Sequence, residues 1–184
     1  MLTQPRHLFV YGTLRRAVGH PLHGVIASSS EFAGVGWLPG YLLDLGAYPG
    51  LVAPEDAGGL PFAGQVAGGP PRVLGEVYRL KVAPRDGARN SATNPLLERL
   101  DRYEGCTTNG DRRAEYRRVP REVVLEQGGT AQAWVYLYNP RFKARGGMFR
   151  PRLILGGDYL NRGNAGASGE IPDSGAPAEP DSKT

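Results

Sequence analysis

The sequence is poor in the residues that form disulfides and metal sites. It contains one cysteine, Cys106, and three histidines. A single cysteine excludes any internal disulfide and is typical of a protein kept in a reducing compartment. His20 and His23 lie close together, but no cysteine or acidic residue stands near them in the sequence. We therefore predict no metal site and no metal cofactor.

Long apolar runs are also absent, which excludes a membrane-spanning helix. Residues 1–6 are too few and too polar before the first apolar run to form a secretory signal. We expect a soluble, cytoplasmic protein with no membrane partner. The 184 residues are 40% hydrophobic, which suffices for one domain with a real core, while 27 glycines and 16 prolines favour turns and loops over a helical bundle.

The net charge of +4 comes almost entirely from arginine. Five arginines cluster around Tyr116, namely Arg112, Arg113, Arg117, Arg118 and Arg121. In a strand over 116–121, alternation would place Arg117 and Arg121 on one face and Arg118 on the other. Because this splits the patch, we expect no nucleic-acid partner, although nucleic-acid binding stays a third hypothesis.

The apolar run at 7–11 is typical of a strand buried on both faces. Gly12 breaks the run, and Thr13 offers a hydroxyl beside free backbone N–H groups. Such a turn can hold amides toward an anionic or carbonyl ligand. A plain strand and turn without a ligand is the alternative.

Turn residues and apolar spacing predict a short helix at 20–30 and strands at 31–38, 41–45, 51–53 and 73–80. We predict a surface insertion at 54–72, which is rich in glycine and proline. We predict a loop at 46–50, which contains Tyr48. We predict one domain over 1–162. Residues 163–184 have almost no large aliphatic side chain, so we predict a disordered tail.

A hairpin is predicted from 116–126 and 130–138. Pro120 suggests an edge or a bulge in its first arm. The second arm has an aliphatic face and an aromatic face, so it separates a core from a second layer or a pocket wall. The faces are Ala131, Ala133, Val135 and Leu137, and Gln132, Trp134, Tyr136 and Tyr138.

The clearest helix is predicted over 94–105. Asn94 is a good N-cap, Pro95 fits the first helical position, and Gly105 is a typical stop. Glu104 lies at the last turn, where the negative end of the helix raises the energy of a carboxylate. A raised pKa suits a general base near neutral pH, although a solvated glutamate without a role is the alternative. The apolar stripe is Leu96, Leu97, Leu100 and Tyr103.

Several segments in this order resemble the gamma-glutamylcyclotransferase-like superfamily, specifically its gamma-glutamylamine cyclotransferase-type branch. They are 10–14 (VYGTL), 75–78 (GEVY), 100–105 (LDRYEG), 116–119 (YRRV), 133–136 (AWVY) and 157–159 (GDY). The resemblance runs from about residue 7 to 162. It implies an α+β fold, a small mixed, mostly antiparallel β-barrel with helices packed outside.

The resemblance also implies a site and a reaction. Glu104 would be the catalytic residue, and the α-amine of a small γ-glutamyl substrate would attack its own γ-carbonyl. The products would be 5-oxoproline and a free amine, with no metal or organic cofactor. Residues that would bind the substrate are Tyr11, Gly12, Thr13, Leu14 and Tyr116, with Tyr48 as a weaker candidate.

Thr13 stands where glutathione-specific relatives have serine, which favours γ-glutamylamines or small amides over glutathione. A non-catalytic ligand-binding or regulatory protein of the same fold is the alternative hypothesis. Cys106 lies near Glu104, but no histidine follows it to support a thiol mechanism. Glu76 is expected to be a structural hydrogen-bonding partner.

Overall fold

The computed structural model describes residues 4–58, 60, 71–81, 94–106, 114–142 and 151–163. Most of the predicted insertion and all of the predicted tail beyond Gly163 lie outside these residues. Where the predicted insertion is described, Pro54–Asp56 forms a short 3-10 helix, Ala57 is buried, and Arg72 already belongs to a strand.

Within the described residues, five strands close into a barrel whose neighbours are antiparallel except for one parallel pair, β1 with β7. Their order is β1 (His7–Val10), β5 (Arg72–Leu80), β2 (Ser30–Pro39), β6 (Tyr116–Leu125) and β7 (Thr130–Tyr138). A smaller antiparallel sheet has the order β4 (Pro49–Val52), β3 (Tyr41–Asp44) and β8 (Arg152–Leu153). The helices are α1 (Pro21–Ser29) and α2 (Pro95–Tyr103), with further 3-10 turns at Arg16–Val18 and Tyr159–Asn161. The predicted α+β barrel fold is confirmed.

The hydrophobic core consists of two clusters, and successive side chains of β1 alternate between them. Leu8 and Val10 join the cluster that contains the buried side chains of α1 and α2, whereas Phe9 joins the cluster between the strands. Burial of the first strand on both faces is thus confirmed. β7 divides in the same way, because Val135 lies in the strand cluster and Tyr136 in the helix cluster.

β4 and β8, both in the smaller sheet, differ most from the prediction, and the other strands end within one residue of their predicted bounds. β4 begins at Pro49 rather than Leu51, because Pro49 pairs with Asp44 across a tight turn in which Leu45 N donates to Tyr48 O. The structure therefore corrects the predicted 46–50 loop, of which only the first residues form the turn. β8 was not predicted, since a two-residue strand leaves no periodic signal.

Pro120 lies at a local edge, as predicted. It pairs with Trp134 of β7 on one side. On its other side β6 meets β2 only farther along, at Val124 and Leu125. A missing N–H therefore costs no ladder hydrogen bond at this position.

Candidate active site

A cavity of about 350 Å³ opens where β1, the β3–β4 turn, the end of α2 and the start of β6 meet. All of the sequence-predicted site residues line it. They are Tyr11, Gly12, Thr13, Leu14, Tyr48, Glu104 and Tyr116. The fold thus brings together residues from four separate segments of the chain.

The 12–15 turn follows β1 directly and forms one wall. Arg15 N donates to Gly12 O at 3.0 Å, which closes the turn. No described residue accepts a hydrogen bond from the backbone N–H of Thr13 or Leu14. A Cβ on Gly12 would lie 2.6 Å from Pro49 Cγ, so only glycine lets the turn pack this closely on β4. The turn therefore offers backbone donors at a cavity wall.

A buried ion cluster supports the 12–15 turn from behind. The Arg15 guanidinium donates to Asp158 Oδ1 at 2.6 Å, and its Nε lies 3.5 Å from Glu76 Oε1. Glu76 Oε2 accepts from Arg16 N at 3.0 Å and from the Tyr78 hydroxyl at 2.7 Å. Glu76 is thus the structural hydrogen-bonding partner that was expected. Arg15 and Asp158 were not predicted as part of the site.

Helix α2 places Glu104 at the cavity. The Asn94 side chain accepts from Leu96 N at 2.9 Å, which caps the first turn, and Gly105 ends the helix with a φ of 64°. Glu104 is the C-terminal cap, and its N–H donates to Leu100 O at 2.8 Å. The predicted cap, stop and position of Glu104 are confirmed. Tyr103 differs from the predicted apolar stripe, because it is 46% exposed and lines the cavity instead of the core.

Asp101, one turn before Glu104, ties α2 to the barrel. Its carboxylate forms two hydrogen bonds with the Arg118 guanidinium, at 2.9 and 3.0 Å, and accepts from the Tyr136 hydroxyl at 2.8 Å. A bidentate pair of this kind fixes orientation as well as distance. The last turn of α2, and Glu104 with it, is therefore held against β6 and β7.

The Glu104 carboxylate has a raised pKa in the cavity. Burial, and to a smaller extent the neighbouring charge of Glu115, together raise its pKa from 4.5 to about 7. No described residue donates a hydrogen bond to this carboxylate or forms an ion pair with it. Sequence reasoning predicted the direction of the shift from the helix end, whereas burial and Glu115 are its causes here. Near neutral pH the group exists in both protonation states, as a proton carrier must.

The predicted tyrosines serve as walls through their rings. The Tyr11 hydroxyl donates to Tyr136 O at 2.7 Å and accepts from Leu51 N at 3.3 Å. The Tyr116 hydroxyl donates to Pro49 O at 2.9 Å. Burial raises the pKa of both hydroxyls well above the ordinary value. They stay protonated and hold the strands together at the cavity.

Glu115 was missed by sequence reasoning. It lines the cavity directly before β6, and its Oε1 accepts from the Tyr48 hydroxyl at 2.7 Å. Nothing in the local pattern marks it, because its place in the cavity depends on how β6 meets the β3–β4 turn. Tyr136 could have been found, since the aromatic face of β7 was expected to form a pocket wall.

The cysteine and the histidines have structural contacts. Cys106 Sγ donates to Tyr116 O at 3.1 Å, and burial raises the pKa of its thiol to about 12, which argues against a thiolate nucleophile. His20 Nδ1 accepts from Leu22 N at 3.2 Å and so caps α1, while His23 Nδ1 lies 2.9 Å from Leu14 O. Among the described residues, no group of histidine, cysteine and acidic side chains has the geometry of a metal site.

The clustered arginines of β6 are each paired with a carboxylate. Arg117 and Arg121 contact Asp56 and Glu55 of the short helix after β4, and Arg118 contacts Asp101. Arg118 thus lies on the opposite face of β6 from Arg117 and Arg121, as the alternation predicted. Arg112 and Arg113 lie outside the described residues.

Comparison with known proteins gives the family. Residues 8–161 match the model of the family described as "Gamma-glutamyl cyclotransferase, AIG2-like". This chain belongs to that family. It is 29% identical over 134 residues to the gamma-L-glutamyl-butirosin B gamma-glutamyl cyclotransferase of Niallia circulans, across 72% of this chain and 67% of that relative. Both matches support a cyclotransferase, and the predicted superfamily is confirmed.

Solved structures agree with the fold. The protein c4763 of uropathogenic E. coli superposes with a TM-score of 0.50 and 16% identity, over 90% of this chain and 100% of that one. YkqA from Bacillus subtilis gives a TM-score of 0.51 and 19% identity, over 86% of this chain and 40% of that one. At this identity the likeness concerns the fold alone.

In the described part of this chain, no helix has the length and apolar character needed to cross a membrane.

Proposed function

We propose that this protein releases 5-oxoproline and a free amine from γ-glutamyl amines or small γ-glutamyl amides, with Glu104 as the general base. The family supports the reaction class. The observation that carries the role of Glu104 is its unpartnered carboxylate, with a pKa of about 7, in the same cavity as the 12–15 turn. Thr13 in that turn favours these substrates over glutathione.

The reaction moves two protons from one nitrogen to another. The substrate α-amine is largely an ammonium at neutral pH and cannot attack until it loses a proton to the Glu104 carboxylate. The freed nitrogen attacks the γ-carbonyl carbon, and a C–N bond forms as the five-membered ring closes. The bond from that carbon to the leaving nitrogen then breaks. The attacking nitrogen loses its second proton, the leaving nitrogen gains both, and Glu104 relays them, so charge and atoms balance.

The 12–15 turn supplies the donors that this reaction needs. The described residues that line the cavity include no arginine, lysine or histidine, so an anion there must bind to neutral donors such as backbone N–H groups and hydroxyls. Those of Thr13 and Leu14 can hold the substrate α-carboxylate or stabilise the carbonyl oxygen as it gains charge.

The proposed chemistry needs neither a metal nor an organic cofactor. The nucleophile and the electrophile belong to one molecule, so the protein's main task is to fold the glutamyl chain back on itself. Well-oriented intramolecular reactions reach effective molarities of about 10⁵ M or more. The cavity walls of tyrosine rings can impose that orientation.

The test is a panel of γ-glutamyl-lysine, γ-glutamyl-alanine, simple γ-glutamyl alkylamides and glutathione. We expect 5-oxoproline and the free amine to appear in equal amounts from at least one amine or small amide, and more slowly from glutathione. If no member releases 5-oxoproline while calorimetry shows that the same compounds bind, the protein is a ligand-binding member of the fold and the proposed activity is wrong.

A further inference from the structure

Glu115 is a cavity carboxylate that the proposed mechanism does not use. Its backbone is fixed, because its carbonyl oxygen accepts from Asn139 N at 2.8 Å at the end of β7. Its side-chain Oε1 accepts from the Tyr48 hydroxyl at 2.7 Å. No described residue donates to its other oxygen or pairs with its charge. Glu115 therefore retains free acceptor capacity in the cavity.

Aromatic rings stand beside this carboxylate. The Tyr48 ring, which is partly exposed, packs at 6.4 Å and 57° against the ring of Tyr116, and both line the cavity. Tyrosine faces attract ammonium groups through their ring electrons. A carboxylate next to two tyrosine rings is the chemistry that recognises an organic cation.

The charge of the cavity points the same way. Glu104 and Glu115 face it, and the described lining residues include no cationic side chain. The α-ammonium of a γ-glutamyl substrate is the partner of Glu104 in the proposed reaction. Glu115 then remains for the other half of the substrate, the amine that leaves. A leaving group with a carboxylate would instead meet an uncompensated negative charge.

We infer that Glu115 and Tyr48 form a leaving-group subsite that selects γ-glutamyl derivatives of amines carrying a second ammonium group, such as diamines and polyamines. This inference rests on the proposed function. Glu115 is a specificity-determining residue in this account. Tyr48 orients its carboxylate by the hydrogen bond to Oε1 and offers its ring to the cation.

A matched pair of substrates isolates the second charge. In mono-γ-glutamyl-1,4-diaminobutane the chain ends in an ammonium group, and in γ-glutamyl-pentylamide a methyl group takes its place. We expect the wild-type protein to favour the diamine derivative by at least about tenfold in kcat/KM, as for one charge-assisted hydrogen bond. Glu115→Gln should reduce that ratio to about one, and Tyr48→Phe should lower it partially.

The ratio separates specificity from chemistry. A change in the pKa of Glu104 alters both rates alike and cancels in the ratio. Glu126→Gln removes the same charge from an exposed site outside the cavity lining, and should keep the wild-type ratio. Thermal unfolding of each variant checks that it is folded. The ratio of the two substrates with the wild-type protein tests the subsite without any substitution.

The outcomes are distinct. A wild-type ratio near one, or a folded Glu115→Gln protein with the wild-type ratio, overturns the subsite while 5-oxoproline release still upholds the cyclotransferase. Absence of 5-oxoproline from both substrates while a member of the panel releases it overturns the subsite alone. Absence from both substrates and from every member of the panel overturns the proposed function, and the subsite with it.

Discussion

Arg15 and Asp158 form an ion pair of 2.6 Å between residues that are 143 positions apart in the chain. Both side chains are largely buried. Arg15 ends the turn that lines the cavity, and Asp158 belongs to a segment anchored by the hydrogen bond from Leu74 N to Gly157 O. The shape of the cavity wall thus depends on the last described segment of the chain.

Asp158→Asn tests this dependence. The amide keeps the size and one acceptor but leaves the buried Arg15 charge with Glu76 alone. We expect a loss of about 2 kcal/mol in the free energy of unfolding, because a buried hydrogen bond between charged groups is weakened while Glu76 still offsets part of the Arg15 charge. Urea unfolding measures it. The matched control is Glu31→Gln, which removes an exposed ion pair with Arg79 and should cost less than about 1 kcal/mol. Equal losses in the two variants would show that the buried pair has no special role.

Gly12→Ala tests the close packing of the turn. A Cβ at Gly12 would meet Pro49 Cγ at 2.6 Å, so the turn must shift away from β4. We expect destabilisation by about 1–3 kcal/mol and a lower kcat/KM for 5-oxoproline release.

The control for this variant is Gly24→Ala. Gly24 is exposed in α1, and a Cβ there meets nothing within 4 Å. Alanine should stabilise the helix by about 0.5–1 kcal/mol and leave catalysis unchanged. If Gly12→Ala behaved like Gly24→Ala, the packing of the turn would not matter for the site.

Glu104→Gln should stabilise the protein at alkaline pH. The pKa of Glu104 is raised from 4.5 to about 7 in the folded protein, so the folded state binds the proton more tightly than the unfolded state. Stability is then lost as pH rises from about 4.5 to 7, and the neutral amide avoids a cost of about 3 kcal/mol at pH 8.

Urea unfolding of the wild type and Glu104→Gln at pH 8 and pH 5 measures this difference. The stability advantage of Glu104→Gln over the wild type should be smaller at pH 5, where Glu104 of the folded wild type is already protonated. Glu126→Gln should change stability by less than about 0.5 kcal/mol at both values. A Glu104→Gln protein less stable than the wild type at pH 8 would mean that other groups stabilise the ionised carboxylate, which would contradict its raised pKa.

Glu115→Gln should shift the pH dependence of turnover. kcat/KM requires an ionised Glu104 and should rise with pH through the pKa of about 7. The negative charge of Glu115 raises that pKa, so the variant should have its acidic limb at lower pH. Burial, the larger cause, remains, and the limb should stay above 4.5. An acidic limb of the kcat/KM profile at the same or a higher pH than in the wild type would contradict the electrostatic coupling of the two carboxylates.

Local signals in the sequence predicted much of the site. The cap at Asn94, the stop at Gly105 and the position of Glu104 between them depend on contacts within one helix. The apolar run before Gly12 likewise predicted the buried strand and its turn.

The missed residues depend on contacts distant in sequence. Asp158 meets Arg15, and Glu115 meets Tyr48, only after the barrel closes. Asp158 caps the 3-10 turn at Tyr159–Asn161, but this local role does not indicate a contact with Arg15, and no cap or periodic pattern marks Glu115. The cause of the raised pKa of Glu104 was missed for the same reason, because burial and Glu115 come from tertiary packing.

The rate of 5-oxoproline release by the wild type and by Glu104→Gln, with the best substrate of the panel, tests most directly whether Glu104 carries the protons. The amide keeps the size of the side chain but cannot accept the proton. We predict a fall in kcat of at least about 100-fold in a folded variant, as for removal of a general base. A folded Glu104→Gln protein that retains wild-type turnover would contradict the account and place the base elsewhere in the cavity.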